Sequence, residues 1–477
     1  MDVRFVLLWS DAMLLVLLVL GAMTIVHVQR SDRLRATWRK VGSRATGMAA
    51  ATILVAFLAI GIADSVHYRP SLPPIAAGGA GASGADAAAT AYSTEVLSAL
   101  DALLAPLRTR VEKTYSAPFA AESFARETIE LPGGGQSRIY PRLKHGGAHL
   151  EDPAAERASD VFGRIARGGA AAAALWLAVV AVVVAAIARR RGEGIAEAAG
   201  ALVRGDTVLA WRAALATLGA ILLVAGTAVA LGSHYHLFGT DKVGQDVLYL
   251  SLKSVRTGLL IGTLTTLVML PFAVALGIMA GYLGGWVDDV IQYLYTVLNS
   301  IPGVLLIAAA VLMIQVVIDT NPQWFSTAAE RSDARLLALC LILGITSWTG
   351  LCRLLRGETL KLRELDYVLA ARAFGVGTPA ILRRHVLPNV MHIVLITLVM
   401  DFSSLVLAEA VLSYVGIGVD PNTISFGTMI NAARAELARE PMVWWSLLAA
   451  FAFMFVLVLS ANLFADVVRD AFDPRRG

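Results

Sequence analysis

Nine stretches of this chain stay apolar for about as long as a helix needs to cross a bilayer, roughly 20 residues. They fall near 5–28, 46–63, 169–188, 210–231, 259–282, 290–318, 336–354, 390–415 and 443–467. Inside hydrocarbon each backbone N–H and C=O needs a partner from its own segment, and a helix supplies one. The expected fold is therefore an all-α polytopic membrane protein with about nine transmembrane helices. Composition agrees, with 16% charged residues against about 25% in an average soluble chain. The first run lacks a basic leader and a small-residue cleavage site followed by soluble sequence, so it reads as a retained helix.

Arginine and lysine set the expected orientation. Arg30, Arg33, Arg35, Arg39, Lys40 and Arg44 follow the first run, and Arg189, Arg190 and Arg191 follow the third. Arg353, Arg356, Lys361, Arg363, Arg372, Arg383 and Arg384 follow the seventh, and Arg469, Arg475 and Arg476 close the chain. If every run spans, all four groups share one side. That side is expected to be cytoplasmic, with the N-terminus outside and the C-terminus inside. One short inner loop, GGWVDD (284–289), carries no basic residue and speaks against this. The net charge of +4 forms no single stripe, so it points to membrane anchoring and not to nucleic acid.

Two regions follow. Residues 1–204 are expected to form an N-terminal extension of about three spans, with a small extracytoplasmic insert near 67–168. Residues 205–477 are expected to form a core of about six spans. The insert opens with a Pro/Gly/Ala-rich linker, PSLPPIAAGGAGASGADAAAT, in which Ser83 should be reachable from outside. An amphipathic helix is expected next, with Leu97, Leu100, Leu103, Leu104, Leu107 and Val111 on one face. Ser93 or Thr94 would cap it and Pro106 would bend it. PGGGQSRIYPRLKHGGAHL suggests turns and short extended pieces. Its basic residues do not break the topology rule, because long loops translocate regardless of charge. Nothing in the insert has a catalytic pattern, and no internal repeat is visible. His234 and His236 read as a loop pair without supporting carboxylates, and Cys340 and Cys352 have neither disulfide nor metal spacing.

The most informative polar interruption is AARAFGVGTPAILRRHVLPN (370–389). Upstream, Leu360, Leu365, Val368, Leu369 and Phe374 make an incomplete helical stripe. Gly375 and Gly377 can end a helix. Thr378-Pro379 can restart one, with Thr378 as cap, and Leu387-Pro388 should stop it. Helix, tight turn and helix would lie on the cytoplasmic face, with Ala370 and Ala371 allowing close approach of another surface. These residues leave two readings open: a knob for a partner's cleft, or an amphipathic helix resting on headgroups.

The segment resembles the cytoplasmic loop motif of binding-protein-dependent ABC transporter permeases, EAA, three residues, Gly, nine residues, I-x-L-P. Leu369, Ala370 and Ala371 precede Gly375 at the motif's spacing, and Leu387-Pro388 close it. Leu369 replaces the Glu, and His385 replaces the Ile. HVLPN is similar to the dipeptide/oligopeptide/nickel branch. So are FGTDKVGQDV (238–247), with Gln245 at an Arg position, AGYLGGWVD (280–288), LAEAVLSYVGIGVDPNTISFG (407–427) and DVVRDAFDPR (466–475). The resemblance runs from about 204 to 476 and leaves the first two hundred residues without a counterpart.

That resemblance implies a non-enzymatic permease subunit of an ABC importer in the bacterial inner membrane, for peptides or, alternatively, nickel or another small solute. Its partners would be separate ABC ATPase subunits, a second permease chain in a heterodimer, an extracytoplasmic solute-binding protein and membrane lipid. ATP would be used by the partner subunits. No GxxxxGK[ST] loop is present, so no cofactor is expected on this chain. The loop at 355–388 would couple to the ATPases through Tyr367, Leu369, Ala370, Ala371, Ala373, Phe374, Gly375, Leu387 and Pro388. Within the runs, Asp401 and Glu409 are candidates for a pore or for helix packing, because intramembrane carboxylates are costly. Pro271 and Pro302 should mark a kink and a helix start. Gly277, Gly281, Gly284 and Gly285 allow close packing. A secondary transporter would need paired intramembrane charges and repeats, and a membrane-anchored sensor would need a cytoplasmic output domain; neither pattern is present.

Overall fold

The computed structural model describes residues 3–72, 92–130, 136–325 and 327–472. Most of the Pro/Gly/Ala linker, including Ser83, part of the PGGGQ turn, and the final residues with Arg475 and Arg476 lie outside the described residues.

The chain opens with strand β1 (Val3–Val6), then α1 (Trp9–Arg30), α2 (Asp32–Ser43) and α3 (Ala45–Asp64). Strand β2 (His67–Pro70) returns antiparallel to β1, with Val6 opposite His67. The first apolar run thus does not start a helix at Phe5. The β-branched and aromatic residues of VRFV suit a paired strand, and α1 begins only at Trp9.

In the insert, β3 (Leu97–Ser98) pairs with β2 and leads into α4 (Ala99–Leu103) and α5 (Ala105–Thr109). The expected single amphipathic helix is therefore two short ones. Its cap is Ser98, whose Oγ accepts from the Asp101 N–H while the Asp101 carboxylate accepts from the Ser98 N–H. Ser93 instead accepts locally from Glu95 N–H. Pro106 sits in the first turn of α5, where its missing N–H costs nothing, so it restarts a helix. Strands β4 (Glu127–Glu130) and β5 (Gln136–Ile139) form a hairpin.

The remaining helices are α6 (Pro153–Arg191), α7 (Ile195–Arg204), α8 (Trp211–Gly232), α9 (Val247–Leu283), α10 (Gly285–Ser300), α11 (Gly303–Thr320), α12 (Ala328–Ser347), α13 (Thr349–Arg363), α14 (Asp366–Ala373), α15 (Thr378–Ile381), α16 (Leu387–Val415), α17 (Phe426–Glu436) and α18 (Trp445–Phe472). Among the described residues nine helical stretches are long and apolar enough to cross a membrane: α1, α3, α6, α8, α9, α11, α12 with α13, α15 through α16, and α18. The run at 290–318 is not one helix. Ile301 is extended and Pro302 is the N-cap of α11, so α10 is a separate amphipathic helix. By contrast α9 continues through Pro271.

Contacts between distant segments sort the connections onto two faces. On one face, the Ser10 N–H donates to Asp333, Trp445 Nε1 donates to the Thr240 carbonyl, and Arg439 lies over the Tyr115 ring. Arg335 there bridges Asp319 and Asp420. On the other face, Arg44 pairs with Asp470 and the Ala210 N–H reaches the Gly42 carbonyl. The acidic GGWVDD loop belongs to this second face. Asp288 receives two bonds of 2.6 Å from Arg356, so the loop's basic complement comes from α13.

The insert is tied to the first face by a buried ionic knot. Glu112 accepts backbone N–H bonds from Lys144, His145 and Gly146. His236 lies between Glu112 at 3.4 Å and Asp246 at 2.8 Å, all buried. His236 is therefore not a free loop histidine. Its carboxylates are supplied across the fold, one of them 124 residues away. Burial opposes the charge on His236, but its bonds to Asp246 and Glu112 outweigh that and push it up to about 9. Burial likewise works against the Glu112 charge, yet His236 and the three backbone donors hold it down at about 2.

The core beside the second face is where α9 meets α13. A Cβ at Gly277 would lie 2.8 Å from the Cys352 carbonyl, and one at Gly281 would lie 2.7 Å from the Arg356 carbonyl. These two glycines let the backbones touch, as small residues do between membrane helices. Gly284 and Gly285 act differently. Both have positive φ, and they end α9 and start α10.

Candidate functional site

The segment from α13 to α16 forms a knob on a buried base. Leu355, Leu362, Val368, Ile381, Val386 and Val390 are all buried in one apolar cluster with Ala273, Ile278 and Ala280 of α9. Val368 is the anchor of α14, being its one buried residue. Ala371 packs against the cluster edge, while Leu369, Ala370 and Ala373 are exposed.

The tip is set by Gly375. Its φ of +76° allows the chain to reverse after α14. The Gly375 N–H then bonds to the Arg372 carbonyl and the Val376 N–H to the Ala371 carbonyl, closing the helix end in the manner of a Schellman motif. This reversal pushes Phe374 outward, leaving it 88% exposed. Tyr367, Leu369 and Val376 are exposed beside it. Phe374 thus stands as a large exposed aromatic on the turn, rimmed by other exposed apolar side chains.

After the turn the structure departs from the expected order. Gly377, and not Thr378, occupies the cap position, and Thr378 with Pro379 forms the first turn of α15. Leu387-Pro388 does not stop the helix. Residues Leu382–Val386 form a π turn, in which the Leu387 N–H bonds back to the Leu382 carbonyl. A proline in an α-helix meets the carbonyl four residues earlier; a wider turn there relieves the clash. Pro388 thus enters α16 in its first turn, and one helical stretch runs from Thr378 to Val415.

Two residues at this joint hold α14 against α16. The Tyr367 ring meets the His385 ring at 6.0 Å. Asn389 Nδ2 donates to the Tyr367 hydroxyl at 3.0 Å and to the His385 carbonyl at 2.6 Å. The role of Asn389 was visible in sequence only as the last letter of HVLPN.

Within the span, Glu409 and Asp401 have different surroundings. Glu409 is buried and accepts from Ser413 Oγ at 2.7 Å and Ser425 Oγ at 2.8 Å. It joins α16 to the capped start of α17. Gly427 leaves the room for this, since a Cβ there would meet Glu409 Oε1 at 2.9 Å. Asp401 is half-buried, and among the described residues its carboxylate has no hydrogen-bond or ion-pair partner. Among the described residues no group of three or more His, Cys, Asp or Glu is placed to hold a metal ion.

Residues 273–477 match a family model described as binding-protein-dependent transport system inner membrane component. The chain is 30% identical over 282 residues to the oligopeptide transport system permease protein OppC of Mycobacterium tuberculosis, covering 55% of this chain and 90% of that one. It is 32% identical over 240 residues to the dipeptide transport system permease protein DppC of Lactococcus lactis, covering 50% of this chain and 64% of that one. A glutathione transport system permease protein GsiD of Pectobacterium atrosepticum is 31% identical over 243 residues, covering 51% of this chain and 74% of that one.

Proposed function

The chain belongs to the binding-protein-dependent transport system inner membrane component family, and from that premise we propose that its 366–377 knob is the point at which ATP hydrolysis is coupled to transport. As a member it is a multi-pass inner-membrane permease subunit of an ABC importer. Members of this family work with ABC ATPases and a solute-binding protein. The observation that supports the coupling site is Phe374, 88% exposed on a turn whose base is buried against α9 and α13. A partner that grips Phe374 and Tyr367 would move α14 as a lever. The motion would pass through Val368 into the α13–α9 contact and through the π turn into α16. Leu369 leaves this surface more apolar than a glutamate would.

The test is Phe374→Asp in the assembled transporter. An exposed side chain contributes within about 0.5 kcal/mol to folding, so the chain should accumulate and purify normally. ATP-driven uptake should be lost, and the ATPase subunits should no longer co-purify. Uptake at the wild-type rate overturns the assignment.

The same reading puts the face bearing Arg44, Asp288 and Phe374 in the cytoplasm, with the insert and the N-terminus on the opposite side. It divides the chain into an extension of residues 1–204 and a permease core of 205–477. It pairs this chain with a second, different permease subunit. The solute is a peptide, in keeping with the names of the relatives; nickel or another small solute is the alternative. Asp401, without a partner of its own, faces water in the pore or the second subunit, since a lone carboxylate against lipid costs about 2.5–3.5 kcal/mol on insertion scales.

A further inference from the structure

Lys253 and Arg256 lie in the outer third of α9, about 9 and 14 Å along the helix from its start at 1.5 Å per residue. Both are largely buried. The carboxylates that pair with them, Asp11, Asp64 and Asp101, all lie upstream of residues 273–477, which the family model matches. Lys253 Nζ donates to both oxygens of Asp101, at 2.7 and 2.8 Å, and lies 3.4 Å from Asp64. Arg256 donates to Asp11 at 2.6 Å, to Ser10 at 2.9 Å and to Ser65 at 3.1 Å. The three carboxylates are buried and further bonded: Asp11 to His67, Asp64 to Ser98, and Asp101 to the Tyr249 hydroxyl.

The way α1 sits makes this cluster decisive. Among the described residues of α1 only Ser10, Asp11 and Leu14 are buried. Leu17 and Leu18 pack partly buried against the cluster of Leu260, Ile261 and Leu264, while Leu15, Val16, Val19, Leu20, Met23, Ile25 and Val26 face outward. Lipid tails are as apolar as leucine, so apolar contact alone gives little drive for one membrane helix to join another. Polar bonds formed away from water do provide that drive. The relatives are matched over as much as 90% of their own length by 55% of this chain, and the groups that neutralise α9 here lie upstream of the family-model match.

We infer that the α1–α3 hairpin is an accessory module docked in cis on the outer flank of the core, with Asp11 as its docking group for Arg256 and Asp64 as its docking group for Lys253. The lateral face of α9 is therefore reserved for this hairpin and is closed to lipid and to a second permease subunit. The core of this chain depends on the module, because without it Arg256 would lose Ser10, Asp11 and Ser65 together and stand unpaired in the span, while Lys253 would keep Asp101 alone. This does not rest on the coupling reading above.

The experiment uses the full chain with a protease site inserted after Gly81, in the Pro/Gly/Ala-rich linker, and an affinity tag at the C-terminus. The purified protein is cleaved in detergent, and release of the N-terminal fragment is followed over time. The wild-type fragment should stay bound. Lys253→Met with Arg256→Met should release it at least about tenfold faster, since breaking a buried pair is strongly unfavourable. Asp11→Asn removes one charge with little change of shape and should also speed release, which covers the case in which the double variant does not fold. The exchange Asp11→Arg with Arg256→Asp should slow release again. Immediate loss of the wild-type fragment, or equal retention in Asp11→Asn and wild type, overturns the proposal.

Discussion

At the residue scale, glycines do two jobs. The expectation from sequence is that Gly375 ends a helix and Gly281 allows close helix packing, and the two positions differ accordingly. Gly281 faces the Arg356 carbonyl and Thr359, and a Cβ there would stand 2.6 Å from Thr359 Cβ. Gly375 has positive φ and nothing within 4 Å of an added Cβ. Gly281→Val should therefore force α9 and α13 apart, a change that costs about 1–3 kcal/mol in a packed site. Gly375→Ala should cost only the strain of a left-handed backbone, about 1–2 kcal/mol. Thermal unfolding of the detergent-solubilised chain distinguishes them. Gly281→Val should also lose transport through misplacement of α13. Equal effects from the two would contradict the packing argument. The carboxyl groups also diverge: Glu409 accepts from Ser413 and Ser425, while among the described residues the Asp401 carboxyl has no partner.

At the element scale, the knot between the insert and the loop joining α8 to α9 carries a pH signature. His236, ordinarily 6.5, is pushed up to about 9 in the fold. Its contribution to stability is complete below about pH 6.5 and fades as the pH rises through 9. Glu112, ordinarily 4.5 and held at about 2, contributes fully above 4.5 and loses its contribution as the pH falls through 2. The knot is thus fully formed between about pH 4.5 and 6.5. His236→Gln should unfold at a lower temperature than wild type at pH 6, by an amount that shrinks toward pH 9. A difference that grows with pH would contradict the assigned charge. None of this was legible in the sequence, because Glu112 and His236 are 124 residues apart and no spacing rule joins them. The ends of elements were legible only in part. Pro302 does break the run around it, for the expected reason. Pro388 does not, because a π turn absorbs it.

At the scale of the whole molecule, nine apolar runs yielded nine spanning stretches among the described residues, since length and apolarity are local properties. The order of loops on the two faces follows from that alternation. The first strand, paired across three helices with β2, did not show itself in sequence, nor did the charged contacts of α9, because both depend on partners far along the chain. Orientation has its own test. With Cys340 and Cys352 replaced, Lys113→Cys in the insert should react with an impermeant maleimide on intact cells. Phe374→Cys should react only after permeabilisation. The reverse pattern would invert the topology.

As a coupling lever, the Phe374 tip is expected to touch an ATPase subunit. A photoreactive phenylalanine analogue placed at position 374 of the assembled transporter tests it most directly. The predicted result is a cross-link to an ATPase subunit from position 374 and none from the same probe at Lys113. Absence of an ATPase adduct at 374, with the assembly intact, would contradict the account.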